Sequence, residues 1–92
     1  MEENSTYLVL TFPTTYAALR FDSVFKESAL TFQLIPVPRE ISSSCGLAAR
    51  IDRTNPESLL QFLSQKRVEF EELYCMNNDK QQKPQLLATG ES

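Results

Sequence analysis

Tyr7-Leu8-Val9-Leu10-Thr11-Phe12-Pro13-Thr14-Thr15 is the stretch from which the fold can be read. Its first six residues are aliphatic, β-branched and aromatic, the composition of a strand, and a proline stops them. Thr14 or Thr15 then offers a side-chain oxygen that can cap a helix. From Thr15 to about Ser28, Ala18, Phe21, Val24 and Phe25 recur at three- and four-residue intervals, while Arg20, Asp22, Lys26 and Glu27 fall largely elsewhere. That spacing predicts an amphipathic helix directly after the strand.

Working outward, Phe32 to Val37 is a second short apolar strand closed by Pro36 and Pro38, whose missing N–H groups suit a strand end or a sheet edge. A polar loop, Pro38 to Gly46, follows. Leu47, Ala49 and Ile51 alternate with Ala48 and Arg50 in a third strand. Asn55-Pro56-Glu57 is a cap, a proline at the first helical position and an acid in the first turn, opening a helix that runs to about Gln65 and buries Leu59, Leu60, Phe62 and Leu63. Val68 and Phe70 alternate with Glu69 and Glu71 up to Tyr74, a last strand with one apolar and one acidic face. Glu69, Glu71 and Glu72 read as a solvated sheet face, and Tyr7, Tyr16 and Tyr74 as core rim.

The order βαββαβ predicts an α+β protein with the ferredoxin-like fold: one four-stranded antiparallel sheet, strand order 4-1-3-2, and two helices on one face. Residues 1–76 form a single domain in this reading. Residues 77–92, rich in Asn, Asp, Lys and Gln, read as a polar, flexible C-terminal tail.

A chain of 92 residues allows one thin core and no separate cofactor domain. Its formal charge of -3 gives no footprint for a phosphate backbone, so nucleic acid is not expected as a partner. No run approaches the roughly 18 apolar residues of a membrane span, and Met1-Glu2-Glu3-Asn4 is acidic where a secretory signal is basic then apolar; a cytoplasmic protein without membrane association is expected. Two cysteines in unlike surroundings do not make a disulfide framework, and without histidine a zinc site lacks ligands. Neither a metal nor a cofactor is implied. Cys-x-x-Cys, Gly-x-Gly-x-x-Gly and Gly-Lys-Ser/Thr are all missing, and the third strand lacks the exposed aromatics of an RNA-recognition sheet.

What remains as a chemical asset is Cys45, within Ser42-Ser43-Ser44-Cys45-Gly46. The predicted topology sets this loop at the end of the sheet where the first strand finishes and the first helix begins, near Pro13, Thr14 and Thr15. Unpaired N–H groups at a helix start favour a thiolate, and Arg39 in the same loop adds to the effect. Ser44 is a small polar neighbour, and Gly46 frees the backbone or clears an approach. Cys75 lies a strand length away, roughly 17–20 Å. A disulfide needs Cα atoms within about 7 Å, so the two should not pair. The plainer reading makes Cys45 a small buried hydrophobe.

The segment Leu34-Ile35-Pro36-Val37-Pro38-Arg39-Glu40-Ile41-Ser42-Ser43-Ser44-Cys45-Gly46-Leu47-Ala48, with Phe12-Pro13-Thr14-Thr15 after the first strand, resembles the Se/S carrier protein-like family, a small domain also found fused to YedF-type selenium-metabolism proteins. The resemblance spans about residues 7 to 74 and implies a sulfur or selenium carrier role for the cysteine matching Cys45. In that role Cys45 accepts the chalcogen as a persulfide or selenosulfide from a donor, for example a cysteine desulfurase, and passes it to an acceptor protein, so the protein is a carrier and not a turnover enzyme. The alternative is a non-catalytic binding or regulatory module in which Cys45 is structural.

Overall fold

A computed structural model describes residues 6–41, 43–77 and 83–90. Along the chain come β1 (Thr6–Thr11), α1 (Thr15–Phe25), β2 (Thr31–Pro36), β3 (Leu47–Asp52), α2 (Pro56–Lys66), β4 (Glu72–Asn77) and β5 (Gln85–Thr89). The sheet order is β2-β3-β1-β4-β5, with every neighbouring pair antiparallel.

β1 is central and its residues alternate between two apolar surroundings. Leu8 and Leu10, followed by Phe12, enter a cluster with Ala17, Ala18, Phe21 and Phe25 of α1, Leu59 and Leu63 of α2, and Ala49, Ile51 and Leu73 of the flanking strands. Val9 faces the other way, onto Ile41, Ala48 and Met76. A strand covered on both faces has no polar side to show, which is why its sequence is a continuous apolar run. Phe21 is the hub of the helix-side cluster, with ring centroids 5.5, 5.0 and 4.9 Å from Phe12, Phe25 and Phe32.

The helices start as their sequences dictate. Thr14 caps α1 by accepting from the Ala17 N–H at 3.1 Å, and Asn55 caps α2 by accepting from the Glu57 N–H at 2.8 Å, with Pro56 in the first turn. α1 ends at Phe25, earlier than Ser28, whose hydroxyl and N–H both turn back onto the Phe25 carbonyl. α2 closes at Arg67 in the left-handed region (φ 56°), where the Val68 N–H reaches the Leu63 carbonyl at 3.0 Å. Phe62, expected in the core, is 41% exposed, because only Leu59 and Leu63 lie fully on the inner stripe of α2.

Three expectations are corrected. The sheet is not the four-stranded ferredoxin-like one: a fifth strand, β5, covers the outer edge of β4, although the class remains α+β. This strand lies within the stretch read as a tail, of which residues 78–82 and 91–92 fall outside the described residues. Its alternation is broken by a bulge: Leu73 pairs with Ala88 and Tyr74 with Leu86, leaving Leu87 over, so the sequence shows no period of two. Finally, β4 begins at Glu72 instead of Val68, which puts Cys75 inside the strand, opposite Leu8 and Gln85.

Gly90 shows why the chain end can close in. A Cβ there would fall on the Phe70 carbonyl, while the Gly90 N–H donates to the Glu71 carbonyl at 2.8 Å. Truncation after Asn77 strips the ladder from β4 and should lower the thermal midpoint by at least about 4 °C, the shift that roughly 1 kcal/mol produces in a domain of this size; differential scanning calorimetry reads it, and an unchanged midpoint counts against β5. Phe21→Ala should cost about 3–5 kcal/mol in urea unfolding, as for other large-to-small core changes.

Candidate functional site

The β2–β3 connection is a folded strap. It is closed at its base by the Val37 N–H donating to the Gly46 carbonyl at 3.1 Å, and it turns at Pro38, whose carbonyl accepts from the Ile41 N–H at 3.0 Å. Ile41 is buried against Val9, Ala48 and Met76, the face of the sheet away from the helices. Past that point the strap crosses the end of the sheet: the Ser43 hydroxyl donates to the Phe12 carbonyl at 3.5 Å, and Cys45 packs against the helix-side cluster. One loop therefore touches both cores.

Cys45 is partly buried and carries a free thiol. Its Sγ accepts from the Leu47 N–H and donates to the Leu47 carbonyl, both at 3.4 Å. Gly46 follows at φ +80°, a conformation that costs a residue with a side chain, and nothing lies within contact of a Cβ built there, so the demand for glycine is one of backbone and not of space.

Ser44 is gripped by a carboxylate. Glu71 accepts from the Ser44 N–H at 3.3 Å through Oε1 and from the Ser44 hydroxyl at 3.0 Å through Oε2. The Glu71 backbone is itself tied to β1, its N–H donating to the Thr11 carbonyl at 2.7 Å. Together Ser43, Ser44, Glu71 and Glu72 line a recess of about 380 Å³ that Cys45 does not border. A larger recess, about 630 Å³ and bordered by Phe25, Leu30, Arg53 and Phe62, lies at the opposite end of the sheet, beside the Thr31–Asp52 pair, and takes no part in this arrangement.

Of the residues singled out in the sequence, Ser44, Cys45 and Gly46 are brought together in the strap. Thr14 gives its hydroxyl to the α1 cap, and Thr15 is exposed in the first helical turn; neither bonds to the strap among the described residues. Arg39 sits exposed on the turn before Ile41, and its side chain forms no hydrogen bond or ion pair among the described residues. Among the described residues the charged group that reaches the strap is Glu71, an acid whose sequence context suggests a solvated face. A run of acids beside apolar residues gives no sign of which carboxylate will meet a loop 27 positions earlier in the chain.

Glu72 is committed elsewhere. It accepts from the Tyr74 hydroxyl at 2.6 Å, and Tyr74 is pushed up to about 12, first by that bond, then by burial, then by the charges of Glu72 and Glu71. Cys75 is the second free thiol, half-buried within β4. Cys75 lies opposite Leu8 and Ala48 opposite Thr11, so three rungs, about 10 Å at 3.3 Å per residue, and the width of β1 separate Cys75 from Ala48, three residues after Cys45. Among the described residues no three acidic, cysteine or histidine side chains converge as a metal site would need, and no helix is long and apolar enough to cross a membrane.

The fold and the strap define a class: a small α+β domain presenting one half-buried thiol at the end of its sheet. Residues 7–75, most of the chain, match the family model described as Putative Se/S carrier protein-like. The chain belongs to that family. No curated protein and no solved structure matches it.

The Tyr74–Glu72 pair has a pH signature. A hydroxyl whose folded value stands above the ordinary 10 stabilises the fold fully below pH 10, and that contribution is lost as pH rises towards 12. Alkaline titration of tyrosinate absorbance, with Tyr74→Phe as the difference, should place its ionisation near 12, and Glu72→Gln should return it towards 10.

Proposed function

We propose that the protein carries sulfur or selenium on Cys45. Family membership supports the carrier class. The single observation that selects the residue is the contrast between the two thiols: Cys45 stands in a connecting strap beside a left-handed glycine, whereas Cys75 is locked between β1 and β5.

The chemistry asks little of the protein. The Cys45 thiolate attacks the outer sulfur of a donor persulfide, R-S-SH; the donor S–S bond breaks, R-S⁻ leaves with the bonding pair, and Cys45-S-SH remains. The same exchange on R-S-SeH gives Cys45-S-SeH. An acceptor thiolate then attacks the outer atom and Cys45 leaves as thiolate, so the carrier is returned unchanged and no net oxidant is consumed. A neighbouring thiol would discharge the persulfide as a disulfide, and the three rungs and the intervening β1 between Cys75 and the start of β3 hold the second thiol away within one chain. A cysteine desulfurase is a fitting donor, since its product is a protein persulfide. The cytoplasm, where thiols stay reduced, suits the exchange.

A second reading has its own observation. The Cys45 Sγ is bonded to both backbone groups of Leu47 and packed on the helix-side cluster, as a structural cysteine would be in a binding or regulatory module. Incubation with a cysteine desulfurase and cysteine, or with polysulfide, followed by intact and peptide mass analysis, separates the two. The carrier gains one sulfur that survives Cys75→Ser and vanishes in Cys45→Ser. A thiol that never gains sulfur and alkylates only on unfolding leaves the structural reading in place.

A further inference from the structure

Cys45 is held from both sides by bonds in which its own side chain has no part. Before it, the Ser43 hydroxyl is fixed to the Phe12 carbonyl and Ser44 to Glu71; after it, the Gly46 carbonyl is fixed to the Val37 N–H. The Glu71 grip is the strongest of these by type, because an ionised acceptor taking two donors from one residue fixes direction as well as distance.

A clamp is only as firm as its mounting. Glu71 precedes β4, and two backbone bonds hold it: its N–H donates to the Thr11 carbonyl at 2.7 Å, and its carbonyl accepts from the Gly90 N–H at 2.8 Å. Thr11 is fully buried and is tied in turn to the next residue, its hydroxyl accepting from the Glu72 N–H at 3.0 Å and donating to the Glu72 carbonyl at 3.3 Å. Gly90 is seated against Phe70 so closely that no side chain fits there. The residues that steady the clamp thus come from the central strand and from the far end of β5, and β5 lies beyond residues 7–75 of the family match.

We propose that Glu71 is a positioning residue for Cys45, and that the end of β5, acting through the Gly90–Glu71 bond, sets how readily the thiol can leave its seat to meet a donor. The inference rests on Cys45 being the carrier thiol. With the clamp closed, Sγ lies against the helix-side core and bonds to Leu47. With it open, the segment from Ser43 to Cys45 is tied, among the described residues, only at Phe12, and Gly46 serves as the pivot on which Cys45 turns outward. The C-terminal strand, outside the matched residues, in this way tunes the site.

The test compares alkylation rates of Cys45 and Cys75 in the folded full chain, by iodoacetamide labelling and peptide mass analysis. Cys75, inside β4, is the internal reporter of general loosening. Glu71→Ala should speed Cys45 labelling at least about fivefold, the scale of a lost charge-assisted hydrogen bond, and leave Cys75 unchanged. Ser44→Ala should act in the same direction, and Glu71→Gln, which keeps one acceptor oxygen, should lie between wild type and Glu71→Ala. Gly90→Ala should also speed Cys45, with no further gain when combined with Glu71→Ala, the non-additivity expected of one linked unit. An unchanged or slower Cys45 in Glu71→Ala and Ser44→Ala, or both cysteines accelerating together, overturns the proposal. Since alkylation requires no sulfur transfer, a protein that shows the acceleration but never gains sulfur retains the clamp and loses only the carrier reading.

Discussion

β1 is the element on which everything else leans. It is paired along both edges, to β3 and to β4, and it is packed on both faces, by the helices on one side and by Ile41 of the strap on the other, where Ala48 and Met76 of the adjoining strands flank Val9. A strand in that position must place each backbone polar group in a ladder and each side chain in apolar contact, since a buried N–H or C=O without a partner costs about as much as a lost hydrogen bond. Its one buried polar side chain, Thr11, obeys the rule by exchanging two hydrogen bonds with Glu72. From that strand the positions of α1, of β4 and of the strap across the sheet end all follow.

The strap is part of the core before it is part of a site. Ile41 supplies the cover that Val9 needs on the face without helices, so the segment leading to Cys45 is pulled over the sheet by hydrophobic burial. Having covered one face, it must pass the end of β1 to join β3, and this passage sets Cys45 down on the other face. The thiol's half-buried state is thus inherited from packing. In the proposed carrier role that compromise is useful, because a persulfide reached by every solute would be lost to stray thiols and one fully enclosed could never be delivered.

Charge around the strap is arranged unlike a thiolate pocket built from cations. The Ala17 N–H at the start of α1 is taken by the Thr14 hydroxyl, and Arg39 sits exposed on a separate turn. Two adjacent acids divide the remaining work: Glu71 turns to Ser44, and Glu72 turns to Tyr74, on whose hydroxyl it acts strongly enough to hold the proton well above the usual phenol range. Neighbouring residues in an extended chain point to opposite sides, which is how one acidic run can serve both a loop and a strand face.

Much of this was legible in the amino acids alone. Period-two and period-3.6 spacing, two caps and a proline placed β1, α1, β2, β3 and α2 within a few residues, because these signals are local and the backbone obeys them wherever the element docks. The strap and its thiol stood out for the same reason: Ser43, Ser44, Cys45 and Gly46 suit neither a helix nor a strand interior. Two things were decided only in three dimensions. β5 is too short, too polar in its surroundings and too disturbed by the bulge at Leu87 to announce itself, and it exists as a strand because β4 offers an open edge of unpaired N–H and C=O groups. Glu71 looks like any surface acid until β1 brings the start of β4 beside the strap, since a hydrogen bond between residues 27 apart is a property of the folded chain and leaves no period or motif in its sequence.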